Sequence, residues 1–347
     1  MTTTLSFILA FGLTKAPANF IAGRLADRFG RRRVLLGGWL LGLPVPLMIA
    51  VAPSWGWIVS ANLLLGAQQG VCWSTSIFMK VDVSGRRNSG LAIGINEFAG
   101  YGGTAVTAYA TGVLAASAGS RVAPFLLGEV LAVAGLVVAL LLGKETHDLA
   151  FRVSDGRGAA SVPPTKSAFA SIAQAGFVVK LGDTTVWGLL PLFLTAQGIP
   201  VGTMGAVVAL YPATWAVLQP VTGVLSDKLG RRGLISSGML LQGVGFVVIG
   251  VSHTIGGWLL GIVVLGAGTA AAYPTLIAAA GDTAERHAAR IGQYRFWRDM
   301  GFVVGAICVG LLVDHGGAGF TLAVLAAVAS ASALVSMVGL RRSSAAT

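Results

Sequence analysis

Asp183 and Lys180 stand three residues apart inside a long apolar run. An ionisable side chain at bilayer depth costs about 2.5–3.5 kcal/mol to insert, and such residues mark ion pathways, proton relays or substrate sites by default. Residues three apart share a helix face. An acid and an amine placed that way can do one of two things. They can neutralise each other as a fixed pair that lowers its own burial cost, or the carboxylate can load and release a proton as the amine moves away. Thr184 and Trp187 continue the stripe and Pro191 ends it. A polar and aromatic stripe is what a cavity wall presents. At 1.5 Å per residue, Asp183 lies about 22 Å along its helix.

Other charges sit at similar depth. Glu97, with Asn96 beside it, is followed by Tyr101 and Thr104 at helical spacing. It is a second proton-coupling candidate, or the partner of a cation such as Lys15. Lys15 either faces the interior or snorkels to the interface. Arg295, Arg298 and Asp299 share a face, with Arg295 and Asp299 an i,i+4 pair, and read as gate or interface pairs before substrate ligands. No nucleophile–base pair and no metal-ligand spacing stands at depth, because His147, His253, His287 and His315 fall in loops or at span ends. Neither catalysis, nor a bound metal, nor a cofactor is expected. No phosphate-binding loop of the Walker type appears, which argues against ATP as the energy source.

These residues need membrane helices to hold them. Hydrophobic residues make up 55% of the chain and charged residues 11%, against about 25% charged in a soluble domain. The 49 glycines suit helices that must approach closely where lipid gives no hydrophobic drive between them. A window of roughly 20 apolar residues gives eleven spans, by number 5–22, 34–52, 57–79, 91–115, 123–142, 168–195, 204–222, 234–251, 255–280, 291–313 and 320–340. Net charge is +11, which in a soluble protein would suggest nucleic acid. Here the arginines and lysines collect in alternate loops, around Arg24 to Arg33, Arg86-Arg87, Lys144 to Lys166, Lys228 to Arg232, Arg286 to Arg290, and Arg341-Arg342, while the other side carries little beyond Arg121. The excess is therefore a topology signal that places these loops in the cytoplasm. The expected partner is the bilayer of the cell (inner) membrane, not nucleic acid. Cys72 and Cys308 lie in apolar runs and imply no disulfide framework.

The chain repeats itself. The segment from Gly23 through Asp27, Arg28, Gly30 and Arg31 to Arg32 returns as Gly223 through Asp227, Lys228, Gly230 and Arg231 to Arg232, at an offset of 200 residues (Gly23 to Gly223). The same offset pairs Trp73 with Tyr273. A polar stretch with Pro163-Pro164 divides the copies. Residues 1–143 form one bundle, 144–166 a cytoplasmic linker and 167–347 a second bundle. Two spans precede the motif in the second half and one in the first. Five plus six spans stand where six plus six are expected, so a first helix is expected to lie upstream of Met1 or to have been lost from the gene.

The repeated Gly-x-Leu-x-Asp-Arg/Lys-x-Gly-Arg-Arg turn resembles the signature of the major facilitator superfamily, and Gly90–Glu97, Gly182–Leu192 and Tyr294–Asp299 resemble its bacterial efflux branch. The resemblance implies an all-α membrane fold of two pseudo-symmetric bundles around a central cavity, about eleven helices where the family has twelve, and alternating access by rocking of the halves. Parallel repeats with a site near the midplane at their interface fit that plan. It also makes the helix bearing Asp183 cavity-lining, puts Trp73 and Tyr273 on cavity walls, and sets the Asp27 partner at the cytoplasmic end of the helix carrying Arg295 and Arg298. In the motif itself, Gly23 and Gly30 permit close approach and positive φ. Asp27 can cap a neighbouring helix or pair with Arg31 or Arg32. Such a latch holds one face shut and breaks in the other state. The arginines can equally be topology anchors alone.

The leading expectation is a monomeric secondary transporter that exports a small organic molecule by proton antiport. An uptake symporter or uniporter of the same fold is the alternative. A non-transporting remnant or sensor is a third, since the family's first helix lines the cavity.

Overall fold

The computed structural model describes residues 6–85, 88–118, 122–149, 165–281 and 287–340. Most of the central linker with Pro163-Pro164, and the expected topology charges Arg86, Arg87, Arg121, Arg152, Arg157, Arg286, Arg341 and Arg342, lie outside the described residues.

Among the described residues the chain is helical with no strand. The first rod is α1 (Ser6–Phe29). Next, α2 (Arg31–Gly42) and α3 (Pro44–Ala50) form one rod, interrupted at Leu43 where Pro44 and Pro46 remove backbone donors. Then come α4 (Trp55–Ser84), α5 (Ser89–Ala118) and α6 (Ala123–Leu142). The second set opens with α7 (Lys166–Thr184), which runs through a π-helical turn, Thr185–Leu189, into α8 (Leu190–Ala196). It continues with α9 (Val201–Leu229), α10 (Arg231–Val251), α11 (Ile255–Gly281) and α12 (His287–Gly339). Gly317, at φ 75°, breaks α12 into two limbs. The eleven expected spans are therefore present as rods.

Their ends differ from expectation at the motif. The reversal is not a turn of several residues. Helix α1 runs on through Asp27 to Phe29 and α9 through Asp227 to Leu229, and only Gly30 (φ 86°) and Gly230 (φ 88°) leave the helix. An apolar window stops at the first charges, but a helix can continue into the headgroup zone, where Asp and Arg are solvated. Gly23 is accordingly a buried helical residue with no turn role.

Seven helical stretches are long and apolar enough to cross a membrane by length and composition. Helices α1, α4 and α5 fall short because they carry the polar interior of the first half: Lys15 and Asn19, Gln69 and Lys80, Asn96 and Glu97. Helix α6 shows the opposite pattern. Only Ala139 on it is buried, and Leu141 and Leu142 are 77% and 73% exposed. An apolar surface of this kind, on a helix long enough to cross a membrane, suits contact with lipid.

The two sets of helices meet where α5 packs on α9 and α1 on α12, while α1 also packs on α4 and α7 on α12. Small residues make the α5–α9 seam. A Cβ on Gly223 would meet the Gly90 carbonyl oxygen at 2.5 Å, and one on Gly94 would meet the Gln219 carbonyl at 2.6 Å. Beyond α6, Glu145 caps the start of α2, accepting the backbone N–H groups of Arg31 and Arg32 at 2.8 and 3.1 Å. Partial burial opposes its charge, but these donors and the N–H groups of His147 and Thr146 outweigh it and hold the carboxyl below the usual carboxylate range.

Candidate functional site

The polar interior surrounds a cavity of about 320 Å³. It reaches from Phe7 and Ile8, near the start of α1, to Lys15 and Lys180, so it occupies the half of the bundle away from the motif turns. Trp73 and Gln69 of α4, Tyr101 and Thr104 of α5, Trp187 in the π turn and Phe302 of α12 complete much of its wall.

Lys180 forms the floor. Its ammonium donates to Asp183 Oδ2 at 2.5 Å and to the Tyr101 hydroxyl at 3.3 Å. It also lies 4.9 Å from the ring centres of Trp215 and Tyr273 and 5.1 Å from that of Phe302, a cage that favours a cation. The other Asp183 oxygen accepts the Tyr211 hydroxyl at 2.6 Å, and Tyr211 lies 3.0 Å from the Thr269 hydroxyl. The expected stripe is thus split. Lys180 and Trp187 face the cavity, whereas Asp183 turns behind it toward α9. Thr184 faces α12, its hydroxyl donating to the Lys180 carbonyl at 3.2 Å with Gly305 packed against it. The π turn beginning at Thr185 inserts an extra residue, and this shifts Trp187 relative to the residues below.

Beneath Lys180 a layer of buried polar groups joins both halves. Tyr101 and Tyr273 meet hydroxyl to hydroxyl at 3.5 Å, and Arg298 Nη1 donates to Tyr273 at 2.5 Å. Arg298 Nε donates to Asp299 Oδ1 and Asn19 Nδ2 to Asp299 Oδ2, each at 2.6 Å. The Asn19 carbonyl oxygen accepts Arg295 Nε at 3.0 Å and the Ser74 hydroxyl at 2.7 Å. Tyr101 stacks on Trp215 with ring centres 3.7 Å apart. Three expectations change here, and one left open is decided. Asp299 pairs with its neighbour Arg298, not with Arg295, because Asn19 on α1 captures Arg295. Arg295 and Arg298 are buried and hold no contact with Asp27. Tyr273 lies in this sealed layer instead of on the cavity wall. Lys15 does not snorkel: it is 5% exposed and donates to Gln69 at 3.0 Å.

Glu97 is not the partner of Lys15 either. Its Oε1 accepts Trp73 Nε1 at 2.7 Å and Asn96 Nδ2 at 2.9 Å, while Asn96 Oδ1 accepts Lys80 at 2.7 Å. Its Oε2 has no partner. Trp73 screens this cluster from the cavity. Asn19, Tyr211, Trp215 and Thr269 escaped the sequence reading. A lone Asn in an apolar span was the one signal available, since the aromatic residues look like ordinary packing.

The two motif turns use their aspartates differently. Asp227 reaches across the seam, accepting the backbone N–H of Gly90 at 3.2 Å and of Leu91 at 3.0 Å at the start of α5, while Arg231 Nη1 holds it at 2.9 Å. Asp27 stays in its own half and accepts Arg31 Nη1 at 2.6 Å, Arg31 also reaching Asp82 at 3.1 Å. The last arginines match: Arg32 donates to the Leu140 carbonyl and Arg232 to that of Met337. Arg28 lies over the Phe29 ring, and Lys228 is exposed. Charge-assisted hydrogen bonds contribute about 1.5–3 kcal/mol each. Asp227→Ala is therefore expected to slow the conformational cycle about tenfold or more, and Asp27→Ala, whose carboxylate is half exposed, less than about threefold. Turnover of the two variants in vesicles checks the ranking.

The fold and the cavity can be set beside known proteins. The Quinolone resistance protein NorA of Staphylococcus aureus (strain MRSA252) is 26% identical over 140 residues, which cover 40% of this chain and 36% of that protein. The Inner membrane transport protein YajR of Escherichia coli (strain K12) is 32% identical over 102 residues, 29% of this chain and 21% of that protein. The matches thus span little over a third, or less, of these curated relatives. The solved structure of the human organic anion transporter MFSD10 (TETRAN) superposes with a TM-score of 0.75 at 16% identity, covering 96% of this chain and 83% of that chain. The family model for the Major Facilitator Superfamily matches residues 2–172 and again 172–346. Both halves carry the match, and the chain belongs to the Major Facilitator Superfamily of membrane transporters.

Proposed function

We propose that this chain is a proton-coupled secondary transporter that exports a small organic molecule by alternating access. The observation that carries the reading is the Lys180–Asp183 pair, buried at the floor of the cavity and directly above the layer that closes the motif end. A carboxylate that holds an ammonium in one state and a proton in the other couples protonation to opening of that layer. The motif turns face the cytoplasm in this reading, so the cavity looks outward. Asp183 and Lys180 carry the coupling, with Glu97 as a second protonation site, and the Asp227 cap is the latch. The protein works as a monomer in the cell membrane. Similarity to NorA, a protein named for quinolone resistance, supports the export direction. A second reading, uptake together with protons, is favoured by the lysines that are the only charged groups among the residues lining the cavity.

Inside-out vesicles containing the protein test both. With an acid interior, export predicts uptake of organic dyes that nigericin abolishes. Dye movement that ignores the pH gradient would defeat proton coupling. Proton-driven movement seen only in right-side-out vesicles would select the second reading.

A further inference from the structure

We infer that the cargo is an organic anion with a flat apolar body, its negative group docking between Lys15 and Lys180. The inference rests on the reading of this cavity as the transport site, in either direction.

The wall supplies the argument. Its charged residues are Lys15 and Lys180, and none of the lining residues is acidic. The nearest carboxylates lie outside the wall. Both oxygens of Asp183 are taken by Lys180 and Tyr211, and Glu97 sits behind Trp73. Asp299 lies in the sealed layer, bound by Arg298 and Asn19. Lys15 has no acidic partner among the described residues; its ammonium meets the neutral Gln69 oxygen at 3.0 Å and the Phe11 ring at 4.7 Å. The nearest counter-charge, Asp299, acts on Lys15 only at a distance because Arg298 and Asn19 hold its oxygens, and a buried ammonium without an ion pair of its own is costly to the fold. Such a cost persists where a ligand brings the missing charge, because sites that destabilise the empty protein are sites under functional demand. The surrounding rings of Phe7, Phe11, Trp73, Trp187 and Phe302 suit an aromatic body.

Three probes on one naphthalene frame separate charge from shape: 1-naphthoate, its planar isostere 1-naphthamide, and the cation 1-naphthylmethylammonium. Trp73 and Trp187 report binding by fluorescence quenching of the purified protein in nanodiscs. Naphthoate is expected to bind about tenfold or more tighter than the other two. Lys15→Gln should remove most of that preference, and Lys15→Arg should retain it. Because Lys15→Gln deletes a buried ammonium that has no ion pair of its own, it should also raise the melting temperature, so loss of folding does not obscure the result. Equal binding of the three probes, tighter binding of the ammonium, silence of all three at about 10 mM, or an unchanged preference in Lys15→Gln would each overturn the inference. Anion-selective binding without movement in vesicles would instead defeat the transport reading and leave the anion site standing. Proton-driven movement of cations alone would do the reverse.

Discussion

Asp183→Asn is expected to abolish proton-driven transport while leaving the chain inserted and folded. The asparagine keeps a carbonyl for the Tyr211 hydroxyl but cannot carry the charge that holds Lys180 or take up the proton that would release it. Breaking a buried ion pair costs about 3–5 kcal/mol when the remaining charge is sealed in. Lys180 borders the cavity and keeps its aromatic cage, so the loss should fall at or below the lower end of that range. The melting temperature drops, but the protein remains monodisperse in detergent. Lys180→Met combined with Asp183→Asn removes both charges and should recover the stability without recovering transport, since replacing a buried pair by apolar volume is often neutral or better. Vesicle assays with and without an imposed pH gradient measure the coupling. Gradient-dependent flux that survives in Asp183→Asn would show that the pair is only structural.

Gly223→Val should arrest the cycle with the motif end apart. At this point α5 and α9 touch backbone to backbone, and the first side-chain atom on Gly223 would sit 2.5 Å from the Gly90 oxygen. Neither backbone can yield without separating the helices, and separation also withdraws the Gly90 and Leu91 N–H groups from Asp227. A loss of roughly 3 kcal/mol in the closed state corresponds to about a hundredfold fall in rate. Replacing Cys72 and Cys308 and adding Ser89→Cys gives a reporter, because Ser89 is buried at the seam beside Arg231. A membrane-impermeant maleimide should label it in Gly223→Val and spare it in the parent. Gly103→Ala, whose Cβ would meet nothing within 4 Å, is the control for a glycine without a packing role. Equal labelling of Gly223→Val and the parent would exclude the seam as the gate.

The spans, the repeat and the buried charges of the fold were legible because each has a one-dimensional signature: apolar length, a repeated turn, a charge where lipid forbids one. The partners of those charges were not. Arg295 and Asp299 are correctly spaced to pair along α12, yet Asn19, from a helix some 280 positions away in sequence, takes Arg295 and also binds Asp299. Tyr211 reads as one more aromatic in α9 until the fold sets its hydroxyl against Asp183. Local spacing fixes which residues can meet on one helix, and contacts between helices decide which of them do. The motif shows the same limit. Its two copies share Gly, Leu, Asp, Gly, Arg and Arg at matching positions, but Asp227 bridges the halves and Asp27 does not, a difference set by what each copy faces.

Lys180 serves two clients, the carboxylate behind it and whatever enters in front. If Asp183 takes up a proton as proposed, ligand and proton are thermodynamically linked, and the linkage is reciprocal. A negative guest draws the ammonium forward and leaves Asp183 readier to accept hydrogen ion, so guest and proton load together and travel the same way. A positive guest repels the ammonium back onto Asp183 and displaces the proton, which makes the two trade places. Under the proposed coupling the electrical sign of the cargo would set whether the carrier runs as a symporter or an exchanger, so an anionic cargo selects the uptake reading and a cationic cargo the export reading. Proton uptake or release on adding ligand to the purified protein, followed with a pH dye, reads that sign directly.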